Sequence, residues 1–176
     1  MKRQATPLLT LSAIGLCGLL LAGDKSIVGK AGAGPAAFEK LKALNGEWRG
    51  TVQSKDGPPV TVTYRTTSNG NVVLEDLFPG TSHEMITIYH LDGDALVLTH
   101  YCALGNQPRM SLTSSDPGEL VFDFAGGANM KPEVDAHMHS ARISLRDRDH
   151  LESEWVVYQS GRRLDSKKFF LERYKP

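Results

Sequence analysis

A chain of 176 residues and 19.2 kDa is one ordinary domain in length, and 40% hydrophobic with 23% charged residues is the balance of a globular fold. Twenty Lys and Arg against twenty Asp and Glu leave no basic field, so no nucleic-acid partner is expected. Seventeen Gly and nine Pro, scattered as turn punctuation, argue for many short elements and against a helix bundle.

Lys2 and Arg3 precede an apolar run from Pro7 to Ala22, the order of a secretory signal. The run is shorter than the roughly 20 residues a membrane-spanning helix needs. Residues 1–33 are therefore expected to be a signal peptide and flexible linker, and residues 34–176 the domain. Small residues suit cleavage after Ala31-Gly32-Ala33 or at Ala22. Leu16 stands before Cys17 where a lipid-attachment motif wants a small residue, which weighs against lipidation. The expected protein is exported, periplasmic or extracellular, with no membrane span once the signal is removed. Removing residues 1–33 leaves 16 basic against 19 acidic residues, a net charge of −3, and Cys102 as the only thiol. An exported domain of this kind has no internal disulfide and stands on its core alone.

PAAFEKLKALNG, from Pro35, predicts one short helix: Pro35 suits its first turn, Phe38, Leu41 and Leu44 share a face, and Asn45-Gly46 is a stop. Beyond Gly46 the periodicity changes to alternating runs closed by turn signals. Strands are predicted at 47–54, 60–67, 71–78, 84–91, 95–102, 108–114, 119–125, 136–146, 150–159 and 164–174. Ser68-Asn69-Gly70-Asn71, Asp92-Gly93-Asp94 and Asp116-Pro117-Gly118 are the sharpest hairpin turns. Ten short strands with no crossover helix form an antiparallel meander, and closure removes both sheet edges. The expected fold is all-β: an up-and-down barrel of about ten strands, capped by one short N-terminal helix.

Gly46-Glu47-Trp48, just after a short helix, resembles the Gly-x-Trp opening of lipocalins and related calycin barrels. The stretch from LNGEWRGT to LERYK is also similar to exported bacterial lipocalin-like domains of unknown function, with THYCALGNQPRM and HMHSARI the most familiar segments. The resemblance covers roughly residues 36–174 and implies that Arg173, on the last strand, packs over Trp48 as a structural device.

Strand side chains alternate faces, so parity sorts inside from outside. His137, His139, Ala141, Ile143 and Leu145 share one face, and its aliphatics point it inward. Leu96, Leu98, His100 and Cys102 share another, while Trp155 and Tyr64 are expected to line the interior. With the helix end as the bottom, KDGPP, FPGTS, ALGNQP, GGANMKPEVDA and SGRRLDS are the longer connections at the top. His100, Cys102, His137 and His139 all fall at that end, with Asn106 and Gln107 on a mouth loop. Function on a rigid scaffold usually sits among such loops.

The leading expectation is an exported module that binds a small, partly apolar molecule at the mouth through these eight residues. An alternative puts zinc on His100, Cys102, His137 and His139, since zinc takes three or four N, S or O ligands. Another puts haem there, because some ten-stranded relatives of the barrel class bind haem through a histidine. A third reading is a structural domain whose barrel is filled by its own side chains. A Gly-x-Ser-x-Gly elbow, a phosphate-binding loop, Cys-x-x-Cys and His-Glu-x-x-His are all missing from the sequence, so a standard catalytic site is disfavoured and enzymatic activity stays open. Among inward carboxylates Asp76 is the nearest candidate.

Overall fold

A computed structural model describes residues 33–176; the predicted signal, its cleavage sites up to Gly32 and Cys17 lie outside the described residues. The chain runs through helix α1 (Ala33–Lys42) and then ten strands: β1 (Gly46–Val52), β2 (Pro59–Thr67), β3 (Val72–Leu77), β4 (Met85–Asp92), β5 (Ala95–Tyr101), β6 (Gln107–Asp116), β7 (Glu119–Ala128), β8 (His137–Leu145), β9 (His150–Gln159) and β10 (Arg162–Arg173). Each strand pairs antiparallel with its sequence neighbours. β1 pairs with β10 from Trp48 opposite Arg173 to Val52 opposite Phe169, which closes the barrel. The expected ten-stranded all-β barrel with one N-terminal helix is the observed fold. Among the described residues no helix is long and apolar enough to cross a membrane.

The helix closes the lower end. Its Ala37, Phe38 and Leu41 are buried, and Leu44 just beyond it joins the same core. Gly34 allows the close approach: a Cβ there would stand 2.1 Å from the Asp94 carbonyl oxygen in the β4–β5 turn. Trp48 lies fully buried above the helix and donates Nε1–H to the Leu44 carbonyl at 2.8 Å. Arg173 places its guanidinium over the Trp48 ring, 4.3 Å from the centroid. It also donates to the carbonyls of Ala43, Asn45 and Arg148 at 3.0, 2.9 and 3.2 Å. One cation thereby satisfies carbonyls just beyond the helix, at Ala43 and Asn45, and one in the β8–β9 turn, at Arg148.

Inward positions along the wall carry Tyr89, Met110, Phe122, Trp155 and Phe169, packed in one core with the helix. The upper end departs from simple alternation at three places. β6 and β7 slip register between Arg109 and Met110, β8 and β9 between Met138 and Ser140, and β9 and β10 between Arg163 and Asp165. Two sequence expectations change as a result. SGRRLDS is not a long connection: Ser160 and Gly161, both at positive φ, form a tight turn, and the irregularity is a bulge inside β10. β7 runs on to Ala128, which shortens the loop before β8.

Candidate functional site

One row of side chains crosses four neighbouring strands inside the wall. Tyr64 of β2 stands opposite Glu75 of β3, Glu75 opposite Thr87 of β4, and Thr87 opposite His100 of β5. All four are buried, Glu75 and His100 to 1% exposure. The Glu75 carboxylate accepts hydrogen bonds from the hydroxyls of Tyr64, at 2.6 Å, and Tyr89, at 2.7 Å. Burial raises its pKa, opposed by the hydrogen bonds from Tyr64, Tyr89 and Thr87. Thr87 Oγ1 lies 2.9 Å from His100 Nδ1. The His100 ring lies 4.8 Å from the Trp155 ring, a contact across the lumen between β5 and β9. Burial lowers the His100 pKa to about 4, so its imidazole is neutral at pH 7.

Glu75 is the residue that sequence reading missed. Val73, Glu75 and Leu77 alternate, and the two aliphatics mark that face as inward. Asp76, the carboxylate singled out from the sequence, falls on the opposite parity.

Asn106 continues the polar region upward. The Cys102 amide donates to the Asn106 carbonyl at 3.1 Å, so Asn106 faces Cys102, one pleat above His100. The Asn106 side chain is buried, and its Nδ2 donates to the Ala136 carbonyl at 2.8 Å. That bond fixes the amide orientation and leaves Oδ1 turned the other way. Gln107 ties loops together: its Nε2 donates to the Gly105 carbonyl and its Oε1 accepts from Asn129 Nδ2 at 2.7 Å. The Ser160 amide donates to the Val134 carbonyl, which joins the β9–β10 turn to the β7–β8 loop.

Three atoms in this upper interior are buried and have no hydrogen-bond partner among the described residues: His100 Nε2, Asn106 Oδ1 and Trp155 Nε1. Buried polar groups are nearly always satisfied, and an unpaired one costs roughly 1–3 kcal/mol. The His100 and Trp155 rings lie 4.8 Å apart, and Asn106 is on the neighbouring strand one pleat higher, so the three are grouped as candidate contacts for a ligand.

The two other histidines are arranged differently from the expectation. Parity put His137 and His139 on the inward face, but the bulge makes His139 the extra residue of β8. Met138 stands opposite Val157 and joins the core in its place, while His137 stands opposite Tyr158. His139 stacks between Phe124, at 5.0 Å, and Tyr158, at 4.0 Å. His137 is buried beside it, with Nδ1 2.9 Å from the Asp135 carbonyl and Nε2 3.0 Å from His139 Nδ1. A carbonyl only accepts, so Nδ1 of His137 carries a proton. This stack fills the seam above Asp123–Ser140, the uppermost pair recorded between β7 and β8.

The proposed zinc set is therefore not assembled. Among the described residues no group of three or more His, Cys, Asp or Glu side chains is placed to hold a metal ion. Burial also pushes the Cys102 thiol pKa up, so the neutral thiol is favoured and not the thiolate that imidazole neighbours would promote. The Trp155 ring packs against His100, the inward candidate for a haem ligand. Open grooves occur instead on the outer wall; one of about 470 Å³ is lined by Arg49, Lys55, Arg146, His150, Phe170 and Glu172.

Comparison with known proteins supports the fold alone. No family model matches the chain, and no curated protein matches it closely. The chain is similar in structure to Rv2717c from M. tuberculosis, with a TM-score of 0.51 and 18% identity over 79% of this chain and 98% of that one. It is also similar to a protein of unknown function of the DUF3598 family from Nostoc punctiforme PCC 73102, with a TM-score of 0.50 and 15% identity over 76% of this chain. It spans about half, 49%, of that second protein.

Proposed function

We propose that the protein is an exported barrel that binds a small, partly apolar molecule in its upper interior, against His100, Asn106 and Trp155. The observation that carries this reading is the set of three buried polar atoms without partners among the described residues, one of which, His100 Nε2, ends a hydrogen-bonded row. Such a row is rigid, and its free ends are held in place before any ligand arrives, which reduces the ordering cost of binding. The remaining interior is apolar, the usual character of a small-molecule site with a few placed polar groups. Export rests on the signal-like order of residues 1–33.

The test is to purify the protein under native conditions, extract it with organic solvent and analyse the extract by mass spectrometry beside Asn106→Ala and His100→Phe. The reading expects a molecule in near-stoichiometric amount from wild type and its loss from both variants. Extracts indistinguishable from buffer in all three proteins would return the barrel to a structural role.

A further inference from the structure

The two histidines at the β7–β8 seam make a contact with room for one proton and not two. His137 Nδ1–H is committed to the Asp135 carbonyl at 2.9 Å, and His137 Nε2 stands 3.0 Å from His139 Nδ1. With both rings neutral, the proton between them is on His139 Nδ1 and His137 accepts it. One added proton keeps the bond whichever ring carries the charge, and makes it charge-assisted. A second puts N–H on both facing nitrogens, with only about 1 Å left between the two hydrogens, and sets two like charges in contact. The contact therefore survives the first protonation in either tautomer and fails at the second.

Neither ring can turn aside in place. His137 is buried to 1% exposure, and His139 is stacked between Phe124 and Tyr158. The charged and titratable groups around the pair are Asp123 of β7, Arg109 of β6, Tyr158 of β9, Arg163 of β10 opposite Tyr158, and Lys131, Glu133 and Asp135 of the loop. Of the neighbouring acids, Asp135 has its carboxylate on the Lys131 amide, and Asp123 accepts from Thr113 while favouring charge on His139. Burial and the charge of His137 oppose that charge. One carboxylate does not balance two imidazolium rings. Among the described residues no third ligand side chain joins the pair as a metal set.

We propose that the His137–His139 pair is an acid-released latch on the β7–β8 loop, closed while the pair holds at most one added proton and opened when both rings are charged. The loop hangs on the pair through the Asp135 carbonyl, with Val134 tied to Ser160 and Ala136 to Asn106 on either side. The closed seam binds one proton fewer than the open one, so opening is favoured as pH falls below the ordinary histidine value of 6.5 and not above it. The latch requires no ligand in the interior.

The experiment is amide hydrogen exchange from pH 7.5 to 4.5, corrected for the intrinsic pH dependence of exchange, on wild type and His139→Phe. Phenylalanine keeps a ring between Phe124 and Tyr158 and removes the facing nitrogen. On acidification, peptides from residues 129–137 should lose protection about tenfold or more further in wild type than in the variant. Peptides of β1 and β10 should follow one pH profile in both proteins, which removes any global effect of His100 and Glu75. Matching loop profiles in the two proteins would overturn the latch, and so would a difference shared equally by β1 and β10. Should His139→Phe fail to fold, nitrogen-15 spectra of the wild-type imidazoles decide. A second proton that arrives together with shifts of the loop amides supports the latch, and two fully charged rings with the loop amides unmoved would overturn it.

Discussion

The two ends of this barrel each bury a tryptophan, and they treat it in opposite ways. At the lower end Trp48 has its N–H on a backbone carbonyl and an arginine on its face, and that arginine spends its remaining donors on three more carbonyls. At the upper end Trp155 has its N–H unspent and a neutral, buried histidine beside its ring. Of the four register slips in the sheet, three lie toward the upper end and one, between Leu112 and Ser114, toward the lower β6–β7 turn. Polar groups are satisfied at the lower end, where stability is expected to concentrate, and the proposed site lies where they are not. The first end fixes the frame on which the second can hold unpaired atoms.

The largest test of that division removes the lower anchor. Trp48→Ala should cost about 3–5 kcal/mol, because a fully buried indole is lost and the Leu44 carbonyl and Arg173 guanidinium lose their partner. Urea denaturation measures it; a loss under about 1 kcal/mol would mean that the helix cap does not hold the barrel end.

Next in size is a pH effect at the upper end. His100 has a pKa of about 4 in the fold against 6.5 as its ordinary value, so between those values the unfolded chain binds the extra proton. Stability is complete above about pH 6.5 and falls as pH drops to 4, by about 3 kcal/mol in all. Glu75 has the opposite sign: its raised pKa costs stability as pH rises above its ordinary 4.5. Denaturation of wild type and His100→Phe at several pH values separates the two. Phe removes the His100 contribution and leaves that of Glu75, so the variant should lose less stability on acidification. Parallel profiles would show that His100 is solvated in the fold.

How much of this is legible in the sequence differs between the ends. Turn residues and period-two runs locate the ten strands and the helix, because local chemistry decides where a strand breaks. Parity also places Trp155, Tyr64, His100 and Cys102 correctly, since their strands alternate without interruption. It fails at His139, where one extra residue in β8 hands the inward position to Met138. A bulge of this kind is a relation between two strands, and no single run of residues announces it. Glu75 was hidden for a different reason. An inward carboxylate looks like an exception to the hydrophobic pattern until Tyr64 and Tyr89 are seen to converge on it from other strands. The unpaired atoms are the least legible, because a missing partner is a fact about every neighbour at once.

A subtler comparison swaps each indole for a benzyl ring. Trp48→Phe and Trp155→Phe delete similar volumes, but only the first strands a buried carbonyl. Trp48→Phe should therefore be the more destabilising by about 1–3 kcal/mol in urea midpoints converted at a common slope. Equal losses would mean that Trp155 has a partner in solution and that the two ends differ less than their hydrogen bonds suggest.

The smallest expected change sharpens the contrast most. Asn106→Ala removes the bond from Nδ2 to Ala136, a loss of about 0.5–1.5 kcal/mol with the Ala136 carbonyl left to find water at the loop surface. It also removes Oδ1, a buried acceptor whose lack of a partner already weighs against the fold by a similar amount. The two nearly cancel, so the variant should stay within about 1 kcal/mol of wild type in thermal or urea unfolding. Its organic extract should nonetheless lose the bound molecule that wild type carries. A residue whose deletion leaves the fold almost untouched and empties the site is retained for what it binds. If Asn106→Ala instead unfolded the upper loops, with Trp155 exposed to quenchers, the amide would be a strut between β6 and the strand of His137, and the upper end would answer to stability as the lower end does.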